Sequence, residues 1–393
     1  MINGVLPKIY TDYLKDKKAT ICAVGPMSKN CVEATIEIAN EKKVPIMIIA
    51  SRRQIDSKDF GGGYVNNWDT RNFSKFIRKK DKNNFITLCR DHGGPWQNNI
   101  EIKKKLNISE AMRSAKKSYM EDIDSDFKII HIDTSLSLKG VENDKKKALK
   151  RLFELYKFCN DYAKKKNKEI FFEIGTEEQS GTTNTQKELD ETLKKTIDFC
   201  DKNRLKKPSF VVIQSGTRVL ETRNVGTFDI PFRVENEIPA EIQVPKMIEI
   251  CKKYNILMKA HNTDYLSSDA LSWHPRLGIH AANIAPEFGV TETKKFLEIL
   301  NILRLDRLKK NFINLSLRSN KWKKWMIKNS KANNYEKSII AGHYIFSNPK
   351  FLEIKESAAK YLKKKKNLNL DKVLKKEIKK SILRYLYNFN LVE

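Results

Sequence analysis

Short runs of apolar residues alternate along the chain with stretches whose apolar positions recur every three or four residues, the signatures of buried strands and amphipathic helices. Eight such runs occupy residues 19–24, 45–50, 85–89, 129–132, 170–174, 210–213, 257–260 and 277–281. The second is continuously apolar between polar flanks, as a strand covered on both faces should be. Helical spacing appears at 31–41, from a start near Asp69 and Thr70, and at 144–166, 189–203 and 291–303. Pro245 is placed to open a further helix at its first turn. The long segment 144–166 carries Ala148, Leu149, Leu152, Leu155, Tyr156 and Cys159 on one face. Eight strands alternating with helices predict a (β/α)8 TIM barrel; a doubly wound open sheet is the alternative, because counting strands does not establish closure.

Beyond about Arg307 the pattern becomes helical and Lys-rich, with no strand candidate. The chain therefore divides into a barrel over 1–306 and a basic helical extension over 307–393. Trp322, Trp325, His343, Tyr344, Phe346, Tyr385 and Tyr387 supply packing residues, so the extension is expected to be ordered against the barrel or a partner.

Composition changes this picture little. Hydrophobic residues make up 40% of the 393, so the 32% that are charged belong to a folded surface. The formal charge of +28 raises nucleic acid as a partner. Its lysines lie on helix exteriors among Asn and Ile, and no nucleic-acid-reading motif is present, so that role is not expected. Cys22, Cys31, Cys89, Cys159, Cys200 and Cys251 are spaced singly, which fits reduced, buried thiols. No apolar run is long enough to cross a bilayer and the first residues lack a signal-like segment, so a cytoplasmic location is expected.

Barrel enzymes carry their chemistry at the C-terminal ends of the strands. Ser51, Arg52, Arg53 and Gln54 follow the second run, and Arg90, Asp91 and His92 the third. Asp133 ends the fourth; Thr176, Glu177 and Glu178 follow the fifth, and Gln214 the sixth. His261, Asn262 and Asp264 follow the seventh, and Asn283 the eighth. Two His from different strands plus a carboxylate suffice to hold an open divalent site, with Zn²⁺ favoured by mixed nitrogen and oxygen donors. The candidate ligands are His92, His261 and Glu177. Such an ion would polarise a ketose carbonyl and its neighbouring hydroxyl and stabilise an enediolate, while Asp91, Glu177 or Glu178 moves a proton. The alternative is that the histidines are hydrogen-bonded pocket residues. Ser51, Arg52, Arg53, Gln54, Arg90, Asp133, Gln214, Arg218, Asn262, Asp264 and Asn283 are the candidate substrate-binding residues.

His131 shares the inward face of its strand with Asp133 and is expected to be a core histidine one layer below the site. His274 and His280 have no assigned role, and His343 reaches the mouth only if the extension folds over it. Gly61, Gly62 and Gly63 suggest a phosphate cradle or a flexible lid, and the helix start at 289–293 is the better-placed phosphate site. The pair Gly93–Gly94 lets its backbone come close to a ligand.

These motifs carry a resemblance. Asp91–His92 with Gly94–Pro95, His131–Ile132–Asp133 with Ser135, Ile174–Gly175–Thr176–Glu177, Gln214 with Gly216, and Ala260–His261 followed by Thr263–Asp264–Tyr265 recur in order across the barrel. The chain resembles the class II tagatose-bisphosphate aldolase non-catalytic (Z) subunits and their ketohexose-phosphate 4-epimerase relatives. The resemblance implies a TIM barrel with a helical C-terminal part, sugar-phosphate chemistry, Asp91 and His92 as acid and metal ligand, and His261 as a second ligand. The sequence departs from that pattern with Ala281 where the family has Lys and Glu287 where it has a small residue or Thr. Arg52, Arg53, Arg90 and Arg218 stand where uncharged residues are expected. Arginine forks recognise carboxylate and phosphate, so the substrate's anionic handle is rearranged, opening the choice among a ketohexose phosphate, a bisphosphate, a sugar acid and a nucleotide-linked sugar.

The expected function is a metal-dependent epimerase on an anionic ketose, by retro-aldol cleavage and re-addition or by proton transfer at carbon. The alternatives are a non-catalytic subunit stabilising a class II aldolase, or an aldolase or lyase on the same substrates. A homo-oligomer or an aldolase is the partner these alternatives imply.

Overall fold

The computed structural model describes residues 5–137, 145–175, 185–213, 217–225 and 240–393. Eight parallel strands close into a barrel: β1 (Ile21–Val24), β2 (Ile46–Ser51), β3 (Ile86–Gly93), β4 (Ile129–Asp133), β5 (Phe171–Gly175), β6 (Phe210–Ile213), β9 (Leu257–Ala260) and β10 (Ala281–Ile284), with β10 pairing back onto β1. Closure excludes the open sheet. Strands β7 (Arg218–Leu220) and β8 (Arg223–Val225) form a separate antiparallel hairpin on the loop after β6. The continuous apolar runs are explained by this geometry, since the barrel interior covers one face of each strand and the helical ring the other.

The ring is built from α2 (Lys29–Lys42), α3 (Thr70–Lys80), α5 (Ile108–Asp124), α6 (Lys145–Lys165), α7 (Gln186–Lys202), α8 (Ala240–Lys253), α9 (Ser268–Leu277) and α10 (Pro286–Ile302). Asp69 caps α3 by accepting from the backbone N–H of Asn72, and Asn107 and Thr185 form capping boxes with Glu110 and Glu188. Two expectations are corrected. Pro245 lies inside α8 rather than opening it. The eighth strand begins at Ala281, because Leu277 ends α9 and Gly278 closes that helix at a φ of 86°.

At the N-terminal end of the barrel, α1 (Lys8–Tyr13) buries Tyr10 completely, and Ser209 donates to the carbonyl of Val5. The helices after residue 306 are α11 (Asp306–Arg318), α12 (Asn334–Ala341), α13 (Pro349–Lys366) and α14 (Leu370–Asn388). Helices α11 to α13 bury Phe312, Ile339, Phe351 and Leu362 against the outer face of α10, while α14 returns to lie on α2, α9 and α10. Ile378, Ile382, Tyr385 and Leu386 of α14 belong to the barrel's own hydrophobic core, so packing crosses residue 306. Lys375 and Lys379 tie α14 to Glu33, Glu37 and Glu41 of α2. All six cysteines are free and buried, as their spacing predicts. Among the described residues no helix is long and apolar enough to cross a membrane.

Candidate active site and metal centre

Strict strand alternation would send Asp91 and His92 to opposite faces of the sheet. Instead the β3–β4 register shifts between Arg90 and Gly93, and His92 adopts the left-handed region at a φ of 42°. This local distortion turns two consecutive side chains toward the barrel mouth. Asn262 and Tyr265, beside the other site histidine, are left-handed as well. Gly94, at a φ of 140°, lies so close to the Asp133 carbonyl that a Cβ there would collide with it. The glycine pair thus serves contact between two strand ends, not approach to a ligand.

His92 and His261 meet across the mouth, with Nε2 of one 3.2 Å from Nε2 of the other. Nδ1 of His92 is 2.6 Å from Asp133 Oδ2, which also accepts from Gln97 at 2.8 Å. A carboxylate on Nδ1 selects the tautomer that leaves Nε2 as a lone-pair donor. Two nitrogens on one tetrahedral Zn²⁺, at bond lengths of about 2.0–2.1 Å, would stand about 3.3 Å apart. The observed separation matches, so the donor set fits a divalent cation. Asp91 Oδ2 lies 3.8 Å from His92 Nε2, and one donor atom each from Asp91, His92 and His131 falls within a single 4.8 Å cluster.

Electrostatics agree with a cation here. Burial opposes charge on His92, yet Asp91 and Asp133 overcome it and raise the imidazole to about 9. Burial, reinforced by the neighbouring His92, holds His261 down to about 3. The pair therefore carries one positive charge, on His92, and a divalent ion between the rings would displace that proton. Asp91 is buried too, but His92 and His131 hold its carboxyl well below the usual range, so it is a carboxylate at neutral pH.

His131 lies beneath Asp91, as its strand parity predicts, but it is tied to the site. Its Nδ1 accepts from the His92 backbone N–H at 3.2 Å and sits 3.3 Å from Glu173 and 3.6 Å from Asp91. Glu173 in turn pairs with Lys259 at 2.7 Å, both 1% exposed. This buried ionic layer is legible in retrospect, because Lys259, Glu173 and His131 each precede a strand-end residue by two.

A cavity of about 480 Å³ opens above the histidines. It receives ten of the expected residues: Ser51, Arg53, Gln54, Asp91, His92, Arg218, His261, Asn262, Asp264 and Asn283. Asn283 is 6% exposed, and neither its amide oxygen nor its nitrogen has a partner among the described residues. That buried amide offers a donor and an acceptor to a polar ligand. Asp133 stands behind His92, on its Nδ1, and does not line the cavity. Glu177, Glu178 and Gln214 lie outside the described residues.

Arg52 and Arg90 are not brought to the cavity, which corrects their expected contact with substrate. Arg52 is fully buried outside the barrel wall, paired with Asp56 at 2.9 Å and Glu101 at 2.7 Å. Arg90 forms a fork with Asp122 of α5 and donates to the carbonyls of Ala50 and Ile55. Both pin the 52–69 loop and α5 to the sheet. The glycine expectations change likewise: Gly63 packs against the Gln54 backbone, and Gly289 makes room for the ring of His343. Neither forms a phosphate cradle.

Residues that strand-end reasoning missed come from elsewhere. Tyr64 and Gln97 arrive on loops and Asn99 opens a short helix, while Lys321, Lys324, Trp325 and Tyr344 belong to the extension, which folds over the mouth. His343 is buried beside them and does not line the cavity. Behind the wall, Asp264 Oδ1 accepts from the backbone N–H groups of Ala285 and Glu287 at 2.9 and 2.8 Å. Glu287, one of the departures from the family pattern, accepts from the Tyr265 N–H and from Ser381, Arg384 and Tyr385 of α14. Burial and adjacent Glu287 raise the Asp264 carboxyl to about 8.

Residues 6–286 match the model of the family described as D-tagatose-1,6-bisphosphate aldolase subunit GatZ/KbaZ-like. The chain belongs to this family. No protein of curated function matches it by sequence. Among solved structures it is similar to a probable tagatose 6 phosphate kinase from Sinorhizobium meliloti 1021, at 16% identity and a TM-score of 0.75, covering 94% of this chain and 100% of that one. It is also similar to the fructuronate-tagaturonate epimerase UxaE from Cohnella laeviribosi, at 11% identity and a TM-score of 0.57, covering 95% of this chain and 82% of the other. A fructose-bisphosphate aldolase from Campylobacter jejuni matches at 14% identity and a TM-score of 0.54, over 98% and 94% of the two chains. At such identities these likenesses establish the shared fold. With the family match they place the GatZ/KbaZ-like chain on an aldolase-type sugar-phosphate scaffold.

Proposed function

We propose that this GatZ/KbaZ-like protein is a metal-dependent epimerase of an anionic ketose. The observation that carries the reading is the approach of His92 Nε2 to His261 Nε2 at 3.2 Å, with Asp133 on the far nitrogen of His92. His92 and His261 would hold the ion, most favourably Zn²⁺, with Glu177 as the third ligand. A divalent cation held there would supply Lewis acidity to a ketose carbonyl and its neighbouring hydroxyl. Asp91, a carboxylate whose Oδ1 has no hydrogen-bond partner among the described residues and lies 3.6 Å from His131 Nδ1, takes the carbinol hydroxyl proton as the carbon–carbon bond cleaves and returns it after the aldehyde has turned and re-bonded through its other face, with Glu178 as the alternative carrier. Asn283, Asn262 and Ser51 orient sugar hydroxyls, and Arg53 and Arg218 take the anionic end. The absence of a membrane-spanning helix among the described residues is compatible with action in the cytoplasm.

Metal analysis of the wild type beside His92→Ala and His261→Ala tests the centre, and NMR of a ketohexose phosphate incubated with each tests turnover. The wild type is expected to hold one divalent ion and to epimerise; both variants should lose both. Retention of wild-type metal by both variants would overturn the site.

The family description favours a second reading, a non-catalytic subunit that stabilises an aldolase or assembles with its own copies. A metal-bearing protein that epimerises the ketose without a partner chain excludes it.

A further inference from the structure

Four cationic side chains line this cavity: Arg53 from the loop after β2, Arg218 from β7, and Lys321 and Lys324 from the turn after α11. None has a carboxylate within salt-bridge distance among the described residues, whereas the adjacent Arg52 and Arg90 are both neutralised. Two acidic side chains, Asp91 and Asp264, share the lining, and an Asp264 oxygen already accepts two backbone N–H groups. Lys324 is held in place over the Trp325 ring at 4.4 Å, and Trp325 donates to the Tyr344 hydroxyl at 3.2 Å. The turn is tied to the hairpin by the Glu221 N–H, which donates to the Trp325 carbonyl at 2.7 Å. Burial and the neighbouring Lys324, Lys103 and Arg53 depress the Lys321 ammonium, so the cluster is self-repelling without an anion.

We propose that Lys321 and Lys324 complete, with Arg53 and Arg218, a phosphoryl-binding subsite, so that the ligand carries a phosphoryl dianion rather than a lone carboxylate. A carboxylate presents one charge and two coplanar oxygens. A phosphoryl group presents nearly two charges at neutral pH and three oxygens, which suits cations arriving from three separate segments. The inference rests on the reading of this cavity as a sugar site, but it concerns binding and needs no turnover.

Calorimetric titration with inorganic phosphate, fructose 6-phosphate and fructose tests it, on the wild type, Lys321→Ala/Lys324→Ala, and a control with Lys363→Ala/Lys364→Ala in the exposed run of α13. Phosphate and the sugar phosphate are expected to bind the wild type and the control equally, and the Lys321/Lys324 variant about 10- to 100-fold more weakly, with metal content unchanged. No phosphate binding by the wild type, or equal weakening in the control, overturns the subsite. Phosphate binding that persists in His92→Ala without turnover in any protein would sink the epimerase reading while leaving the subsite standing.

Discussion

Asp133 Oδ2 lies 2.6 Å from Nδ1 of His92, the ring nitrogen turned away from His261. The carboxylate is itself fixed, accepting from Gln97 and from the Ser135 backbone N–H. It therefore sets both the tautomer and the aim of the imidazole. Asp133→Asn should lower divalent-metal affinity by about 10- to 100-fold with little change in melting temperature. Titration of the apo-protein with Zn²⁺ measures it, and unchanged affinity would show that Asp133 does not orient a ligand.

Glu287 fastens the last helix to the loop behind the cavity. Glu287→Ala removes the acceptor for Arg384, Tyr385 and the Tyr265 N–H together, leaving the buried Tyr385 hydroxyl and a backbone N–H without their charged partner. A loss of about 2–4 kcal/mol is expected, with faster amide exchange in α14 than in α5. Chemical denaturation and hydrogen exchange read the two effects. Wild-type stability in Glu287→Ala would mean that this acceptor is dispensable.

Three histidines outside the proposed ligand set are held neutral by burial. His274 and His280 are pushed down to about 4 and His343 to about 3, with Lys252 adding to burial at His280 and Lys324 at His343. Neither nitrogen of His343 has a partner among the described residues. Below the ordinary imidazole value near 6.5 the unfolded chain binds protons that the native state refuses, so stability is full above that pH and falls as acid is added toward 4. The slope is at most about 1.4 kcal/mol per pH unit for each histidine. Urea melts at pH 7, 6 and 5 should show the decline before surface carboxylates titrate, and His343→Leu should flatten it. A level profile from pH 7 to 5 would contradict this account.

Strand-end reasoning brought ten side chains to one cavity, yet it treated four arginines alike. Arg90 immediately precedes Asp91, so period-two alternation already turns it outward, where a chain buried under helices must find an acid; it finds Asp122. Arg52 is explained only by the 52–69 loop, which returns Asp56 to it, and by Glu101 of α4 (Asn99–Lys103). His92 escapes alternation because the β3 ladder slips beyond Arg90, and nothing in a linear reading marks that slip. Lys321 and Lys324 looked like ordinary members of a basic tail until the turn carrying them was seen against the mouth.

The sequence alone determined the alternation of eight strands with helices, the general inward face of the strands and the kinds of donor at the strand ends, because these follow from local periodicity and from where an apolar run stops. Tertiary structure decided which charges are cancelled and which are left for a ligand. His92 and His261 become partners across 169 residues only when the barrel closes. Arg53 and Arg218 differ from Arg52 and Arg90 in having no acid brought to them among the described residues. Charge pairing acts over a few ångströms of space, and closure and loop return set those distances, not spacing along the chain.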